Sequence, residues 1–338
     1  MNGYPIDVTA SGAVHLGDEL VCDGFYFDAA ARVQTHIHDD HMEDFDASKG
    51  FQPIFMSQAT RSLLIIEKNA DLPYRDNIIA LEMGVPHEFC GNRVTLLPSE
   101  HILGAVQTNV ELSNGMLLGY SGDFSWPCEP VMKVDALVVD STYGSPGFRR
   151  EYSQADVESR LLELVSRLLR RGPVDLLAHR GTLHRALQIF TGQIACPVVG
   201  SAHVVSEVEV YRRFGYCIDE VLSIDTAVGK AALANGRHIR VHGTRDRKPL
   251  DRADHSRIVL SAFMSRRDDP VLEYSDTAYR VALSDHADFE GTLEYISATG
   301  AKAVVTDNTR GGNAIALALE IQRPARVKHF ETPSINIY

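Results

Sequence analysis

Short apolar runs alternate with amphipathic stretches along nearly the whole chain, and that alternation predicts an α/β fold. Before residue 150 strand-like runs dominate, among them NRVTLLPS (92–99), GMLLGYSGD (115–123) and VDALVVD (134–140). A turn signal at Ser145-Pro146-Gly147 breaks the pattern. A long helix is predicted over 153–171: Ser153 is its N-cap, Asp156 follows three residues on, and Val157, Leu161, Leu164, Val165 and Leu168 recur at helical spacing. The order beyond it is strand 173–179, helix 181–192, strand 195–202 and helix 204–215, a second α/β unit running to about residue 278. The closing residues return to strand and helix in turn, as YRVALSD, FEGTLEYISATG, KAVVTDN, NAIALALEIQ and RVKHFE. There is no internal repeat and no low-complexity segment.

Composition narrows the class. A length of 338 residues suits one large or two ordinary domains, and 44% hydrophobic with 23% charged residues fits a soluble globular protein. No apolar run approaches the roughly 20 residues that cross a membrane, so a membrane is not expected as a partner. The start, MNGYPIDVTASG, lacks the basic head and apolar stretch of a signal peptide. Five scattered cysteines, odd in number and without a C-x-x-C, fit buried reduced thiols in a cytoplasmic protein. The formal charge of −12 counts against non-specific wrapping of nucleic acid. Acidic metal ligands are part of that count, and a local basic surface is compatible with it.

The densest chemistry lies in THIHDDH, residues 35–41. Alternate positions of an extended segment point the same way, so His36 and His38 reach one ion together. Asp40 and His41, beyond the strand end, turn toward a second. Imidazole and carboxylate are ligands that zinc accepts, and a catalytic site keeps one position open for water. Three later stretches offer further donors, each at the end of an apolar strand: His101 in LLPSEHILGA, Asp123 in LLGYSGDF and His286 in YRVALSDHADF. Asp123 sits in a Gly-Asp turn where the backbone approaches closely. Taken singly, each of these is more often a cap or a solvated strand end; their order together argues for a metal centre.

On these motifs the sequence resembles the β-CASP group of metallo-β-lactamase-fold hydrolases, nucleases that carry an inserted cap domain. Asp23 in LVCDGF resembles the first motif, a carboxylate behind the ligands. THIHDDH resembles the second, His101 in SEHILGA the third and Asp123 in YSGDF the fourth, which bridges two metals. Asp140 in VVDSTYGSP and His286 in SDHAD resemble the first two β-CASP motifs. The resemblance implies an αββα sandwich over 1–148 and 279–338, with an α/β cap inserted at 149–278.

It also implies roles. His36, His38, His101 and Asp123 would hold a first zinc. Asp40, His41 and shared Asp123 would hold a second ion, with manganese or magnesium as possible occupants. His286 would act as general acid with Asp140 orienting it, and Asp40 would share in catalysis. The family's RNA-processing members read E-S-T-Y-G where this chain reads DSTYG, and the Artemis and Apollo type of DNA-repair nuclease carries Asp there. The RNA enzymes place a metal-binding His in V-H-G, whereas this chain has VVTDNTR, with Asp307 or Asn308 at that place. Asp307 is therefore expected as a substitute ligand for the second ion.

The implied activity is hydrolysis of DNA phosphodiesters, as a 5′-to-3′ exonuclease in repair, with an RNA-processing ribonuclease as the alternative. DNA is favoured over RNA as partner, and the sequence names no protein partner. Candidate phosphate contacts are Ser261, Ser265 and Arg266 in LSAFMSRR, and Arg180 with His184 at a helix start. Arg149-Arg150 and the run GRHIRVHGTRDRK (236–248) are further basic candidates, each with ordinary solvated arginine as its plainer reading. Tyr143 and Phe148 are expected to pack between the domains. A large insertion argues against a small-molecule hydrolase, and complete ligands argue against a scaffold that has lost catalysis.

Overall fold

The structure, a computed structural model, describes residues 3–68, 72–246, 254–263, 266–307 and 309–326. These described residues form an α/β protein with three sheets. The first has six strands in the order Ile6–Val8, Val14–Leu16, Leu20–Cys22, Ala31–Val33, Ile54–Ser57, Ile78–Leu81. The second has seven, running Ala325–Arg326, Ala303–Asp307, Ala136–Asp140, Leu117–Tyr120, Val106–Glu111, Asn92–Pro98, His87–Phe89.

Side-chain alternation explains how these two sheets layer. In Ala136–Asp140 the residues Ala136 and Val138 face one way and Leu137 and Val139 the other. Ala136 and Val138 join Val14, Leu16, Phe55, Val106 and Tyr120 in a core between the two sheets. Leu137 and Val139 meet Phe289 and Tyr295 of the helix Phe289–Thr299 and Leu317 of the helix Ala314–Ile321. A strand covered on both faces reads as a continuous apolar run, which is why VDALVVD shows no alternation in sequence. The far face of the first sheet, through Ile54 and Met56, packs on Leu63 and Leu64 of the helix Gln58–Lys68.

That last cluster continues into the third sheet, ordered Val221–Ser223, Val198–Gly200, Ile239–His242, Val174–Leu177, Ser256–Leu260, Ala278–Val281, Val271–Ser275. All its pairings are parallel except the last. Its flanking helix Gln154–Leu168 carries the expected capping box of Ser153 and Asp156, and it buries Val157, Leu161, Leu164, Val165 and Leu168. The segment RVKHFE enters a strand only through Arg326, and 327–331 lie outside the described residues. Of the cysteines expected to be buried, Cys22 and Cys128 are so, while Cys90 and Cys217 are exposed; all five are free. Among the described residues no helix is long and apolar enough to cross a membrane.

Candidate metal centre

The loops that follow six strands supply the site. His36, His38 and His41 follow Ala31–Val33, His101 follows Asn92–Pro98, Asp123 follows Leu117–Tyr120, and Asp140 ends its own strand. His286 follows Ala278–Val281, and Arg310 follows Ala303–Asp307. Gly122 takes φ +54°, and a Cβ there would stand 2.8 Å from the Val106 carbonyl oxygen, so only glycine lets the turn present Asp123.

His36, His38, His101 and Asp123 each offer one atom, and these four atoms lie within 4.8 Å of one another. Their protonation follows from the partners of the outer nitrogens. His101 Nδ1 lies 2.8 Å from the carbonyl oxygen of Asp285, and His38 Nε2 lies 3.3 Å from that of Arg180. A carbonyl only accepts, so both nitrogens donate. Thr35 gives its hydroxyl proton to Asp23 Oδ2 at 2.5 Å, leaving its oxygen to accept from His36 Nδ1 at 3.0 Å. In a neutral imidazole the second nitrogen is then bare. Burial drives His36 well below the ordinary histidine range, and chiefly burial pushes His38 down to about 3.

Three lone pairs therefore converge on Asp123. His36 Nε2 and His101 Nε2 each lie 3.5 Å from Asp123 Oδ2, and His38 Nδ1 faces His101 Nε2 at 3.1 Å with no proton between them. His36 Nε2 is buried without a hydrogen-bond partner. Bare nitrogens and a carboxylate oxygen packed this closely repel unless a cation joins them, and a set of three N donors and one O suits zinc. The residues present fit the ion.

His41 stands beside this group between two carboxylates. Its Nδ1 is 2.7 Å from Asp23 Oδ2 and its Nε2 is 3.1 Å from Asp123 Oδ1. Burial opposes its charge, but Asp123, Asp40 and Asp23 outweigh burial and hold it well above the ordinary range. Asp23 is fully buried and also accepts the backbone N–H of Thr35 at 2.8 Å, so it fixes the whole 35–41 stretch from behind. Asp40 is half-exposed, its Oδ2 3.9 Å from His41 Nε2. Asp307 is not brought to the ions. Its Oδ2 is held by Arg310 Nη1 at 2.9 Å and its Oδ1 accepts the N–H of Thr309 at 2.8 Å, so the expectation of a substitute ligand is corrected by a guanidinium three residues on. Asn308 lies outside the described residues.

On the opposite flank His286 Nε2 is 3.9 Å from Asp123 Oδ2, and its Nδ1 is 3.4 Å from Asp140 Oδ2. Asp140 is itself locked, its Oδ1 accepting the N–H and hydroxyl of Thr142 at 2.8 and 2.7 Å. Two cavities meet here. One, of about 400 Å³, is lined by His38, Asp40, Asp123, Ser261, His286 and Arg310. The other, of about 550 Å³, is lined by His101, Trp126, Arg150, Tyr152 and again His286.

Of the expected phosphate contacts, Ser261 faces the first cavity, Arg266 is exposed and Ser265 lies outside the described residues. Arg247 and Lys248 of the basic run also lie outside them. Arg180 is a correction. Its guanidinium is buried and donates to Glu207, to Glu67 at 2.6 Å and to the carbonyl of Ile37 at 3.2 Å, leaving nothing for a phosphate. His184 is likewise buried, stacked on Tyr211 at 4.0 Å. Arg180 ties the third sheet to the stretch that carries His36 and His38, since its own carbonyl holds His38. Burial raises the Glu207 carboxyl, but hydrogen bonds with His203 and Arg180 overcome this and hold it at about 2. The clamp therefore contributes fully above the unfolded carboxyl value near 4.5 and fades as pH falls toward 2. Arg180→Met leaves two buried carboxylates short of a cation and is expected to cost on the order of 3–5 kcal/mol in urea unfolding.

Some participants were not read from the sequence. Asp285 sits in SDHAD beside the predicted His286, and its carbonyl sets the proton of His101. Arg310 follows Asp307 in DNTRGG. Glu67 and Glu207 carry no local signal at all.

No protein-family model matches the chain. A stretch of 140 residues, 40% of the chain, is 31% identical to an uncharacterized protein in the lig 3′ region of Acidianus ambivalens and covers 99% of it. Over 155 residues, 44% of the chain, it is 28% identical to the DNA cross-link repair protein SNM1 of Arabidopsis thaliana, covering 31% of that protein. Over 122 residues, 34% of the chain, it is 32% identical to the human DNA cross-link repair 1A protein, covering 11% of it. The matched stretch thus spans less than a third of either named repair protein. A crystal structure of a protein of unknown function from Enterococcus faecalis V583 superposes with a TM-score of 0.56 over 88% of this chain and 78% of that one, at 15% identity, a likeness of fold.

Proposed function

Because the chain belongs to the β-CASP group of metallo-β-lactamase-fold proteins, with the DNA cross-link repair proteins among its relatives, we propose that it is a metal-dependent nuclease that hydrolyses DNA phosphodiesters, acting as a 5′-to-3′ exonuclease in repair. The observation that carries this reading is the convergence of three bare imidazole nitrogens on Asp123, with His286 3.9 Å away on a shared cavity wall. The helix–sheet–sheet–helix layering supports an αββα catalytic domain over 1–148 and 279–338. The third sheet, with strands from Val174 to Val281, supports a cap inserted at 149–278.

His36, His38, His101 and Asp123 would hold the ion. When bound, zinc supplies a water acidified to near-neutral pKa and draws charge from a phosphate oxygen. Asp40, exposed in the 400 Å³ cavity, accepts a proton from the attacking water. His286 gives its proton to the leaving oxygen, and Asp140, locked by Thr142, keeps its ring in place. Ser261 on the same wall offers a hydroxyl to the backbone phosphate.

The test uses end-labelled, 5′-phosphorylated single strands of DNA and RNA of equal length, with zinc, manganese or magnesium. DNA is expected to shorten from its 5′ end, and a chelator is expected to stop it. Equal or faster cleavage of RNA would move the reading to RNA processing. Cleavage untouched by chelation would remove the metal from it.

A further inference from the structure

The larger of the two cavities has a lining that hydrolysis itself does not use. Its volume of about 550 Å³ falls within the roughly 300–1,000 Å³ span of small-molecule pockets. His101 and His286 form part of that lining, so the cavity adjoins the metal ligands. Another part is the short strip 150–154, which leads into the helix Gln154–Leu168. Its alternate residues Arg150, Tyr152 and Gln154 all line the cavity.

Each of the three keeps a buried polar atom with no hydrogen-bond partner among the described residues: Arg150 Nη2, Tyr152 Oη and Gln154 Oε1. Nearly all buried polar groups in folded proteins are paired, so three unmet ones on one strip mark a surface made for a ligand. The backbone of the strip, by contrast, is fixed. The N–H of Arg150 donates to Asp288 Oδ2 at 3.1 Å, and that of Glu151 to the carbonyl of Arg267 at 2.8 Å. Aromatic surface completes the lining. Trp126 Nε1 donates to Glu294 at 2.6 Å, and its side chain lies on Gly291, where a Cβ would stand 2.9 Å from Trp126 Cβ. The indole is therefore positioned before any ligand arrives.

The chemistry selects the occupant. A phosphate oxygen only accepts, and Arg185 on this lining is already taken by Glu158 at 2.7 Å and the carbonyl of Ser284 at 3.0 Å. Glu100 on the same lining adds an acidic group that a phosphate would avoid. A phenol and an amide both donate and accept, which suits a nucleobase edge, and the face of a base stacks on an aromatic ring. We propose that this cavity receives one nucleobase neighbouring the scissile phosphate, with Arg150, Tyr152 and Gln154 reading its edge and Trp126 against its face. The base enters only when drawn out of its stack. The proposal deepens the nuclease reading and rests on it for the identity of the strand.

The experiment measures binding of short, labelled, single-stranded DNA to the zinc-loaded full chain, with phosphorothioate links that resist hydrolysis. A single abasic residue is moved along the strand. At one position its Kd is expected to rise by about 5–150-fold, the scale of losing one stacked base. Exchanging the base at that position should change Kd in wild type, and Tyr152→Phe and Gln154→Leu, which keep size and charge, should flatten that preference. No position sensitive to base loss, an unchanged preference in both variants, or failure to bind any strand would overturn the proposal. So would tighter binding of a free deoxynucleoside monophosphate than of any strand. The wild-type scan decides even where a variant does not fold. Base-dependent binding without cleavage of unmodified DNA would sink the nuclease reading and leave the pocket standing, and cleavage with base-indifferent binding would do the reverse.

Discussion

His286→Ala lowers cleavage of the DNA phosphodiester by about 10²–10⁴-fold at unchanged zinc content, the range expected for loss of a positioned general acid. The ring is outside the four-atom group of His36, His38, His101 and Asp123, its Nε2 3.9 Å from Asp123 Oδ2. Metal binding should therefore survive while proton donation fails. A pH profile separates this role from a structural one. Burial lowers the pKa of His286, but the hydrogen bond to Asp140 and the charges of Asp123 and Asp285 more than reverse that, taking it up to about 9. Protonated His286 is the working form, so kcat falls as pH rises through its pKa. Asp140→Asn removes one of the groups that raise it and is expected to move that basic limb to lower pH. A cation on Asp123 opposes the rise in wild type and variant alike, so profiles at equal loading isolate Asp140. An unmoved basic limb in Asp140→Asn, or cleavage unaffected in His286→Ala, would remove His286 from the reaction.

Asp123→Ala is expected to empty the centre and abolish cleavage together. Its Oδ2 meets His36 and His101 at 3.5 Å each, and its Oδ1 meets His41 at 3.1 Å. Removing it takes the only carboxylate from the four-atom group and leaves His41 buried with one anionic partner fewer. Breaking a buried pair by deleting one side costs about 3–5 kcal/mol, so the metal-free variant should also unfold at lower urea than metal-free wild type. Elemental analysis and urea unfolding check the two effects separately. Full zinc content in this variant would mean that the ion sits elsewhere.

The helix Gln154–Leu168 shows what was legible in the chain. Its cap, Ser153 with Asp156, and its five buried positions are relations between near neighbours, which local spacing reports faithfully. The donors His36, His38, His101 and Asp123 were legible for a different reason. Each follows an apolar strand, and strand ends in one sheet pair lie close together whatever the intervening loops do. Arg180 and Asp307 show the limit. A basic residue at a helix start and a carboxylate at a strand end look available in sequence. Arg180 meets Glu67 from 113 positions away and Glu207 from 27, and no local pattern predicts that meeting.

The sequence by itself determined the donor types, their order along the chain and the α/β frame that gathers them. Only the tertiary structure decided which nitrogen of each histidine is bare and which charged groups are already spent. The physical reason is that a proton or a counter-charge is assigned by whatever atom lies opposite. For His101 that atom is a carbonyl 184 residues away, and for Arg310 the carbonyl of Asp23, 287 residues away.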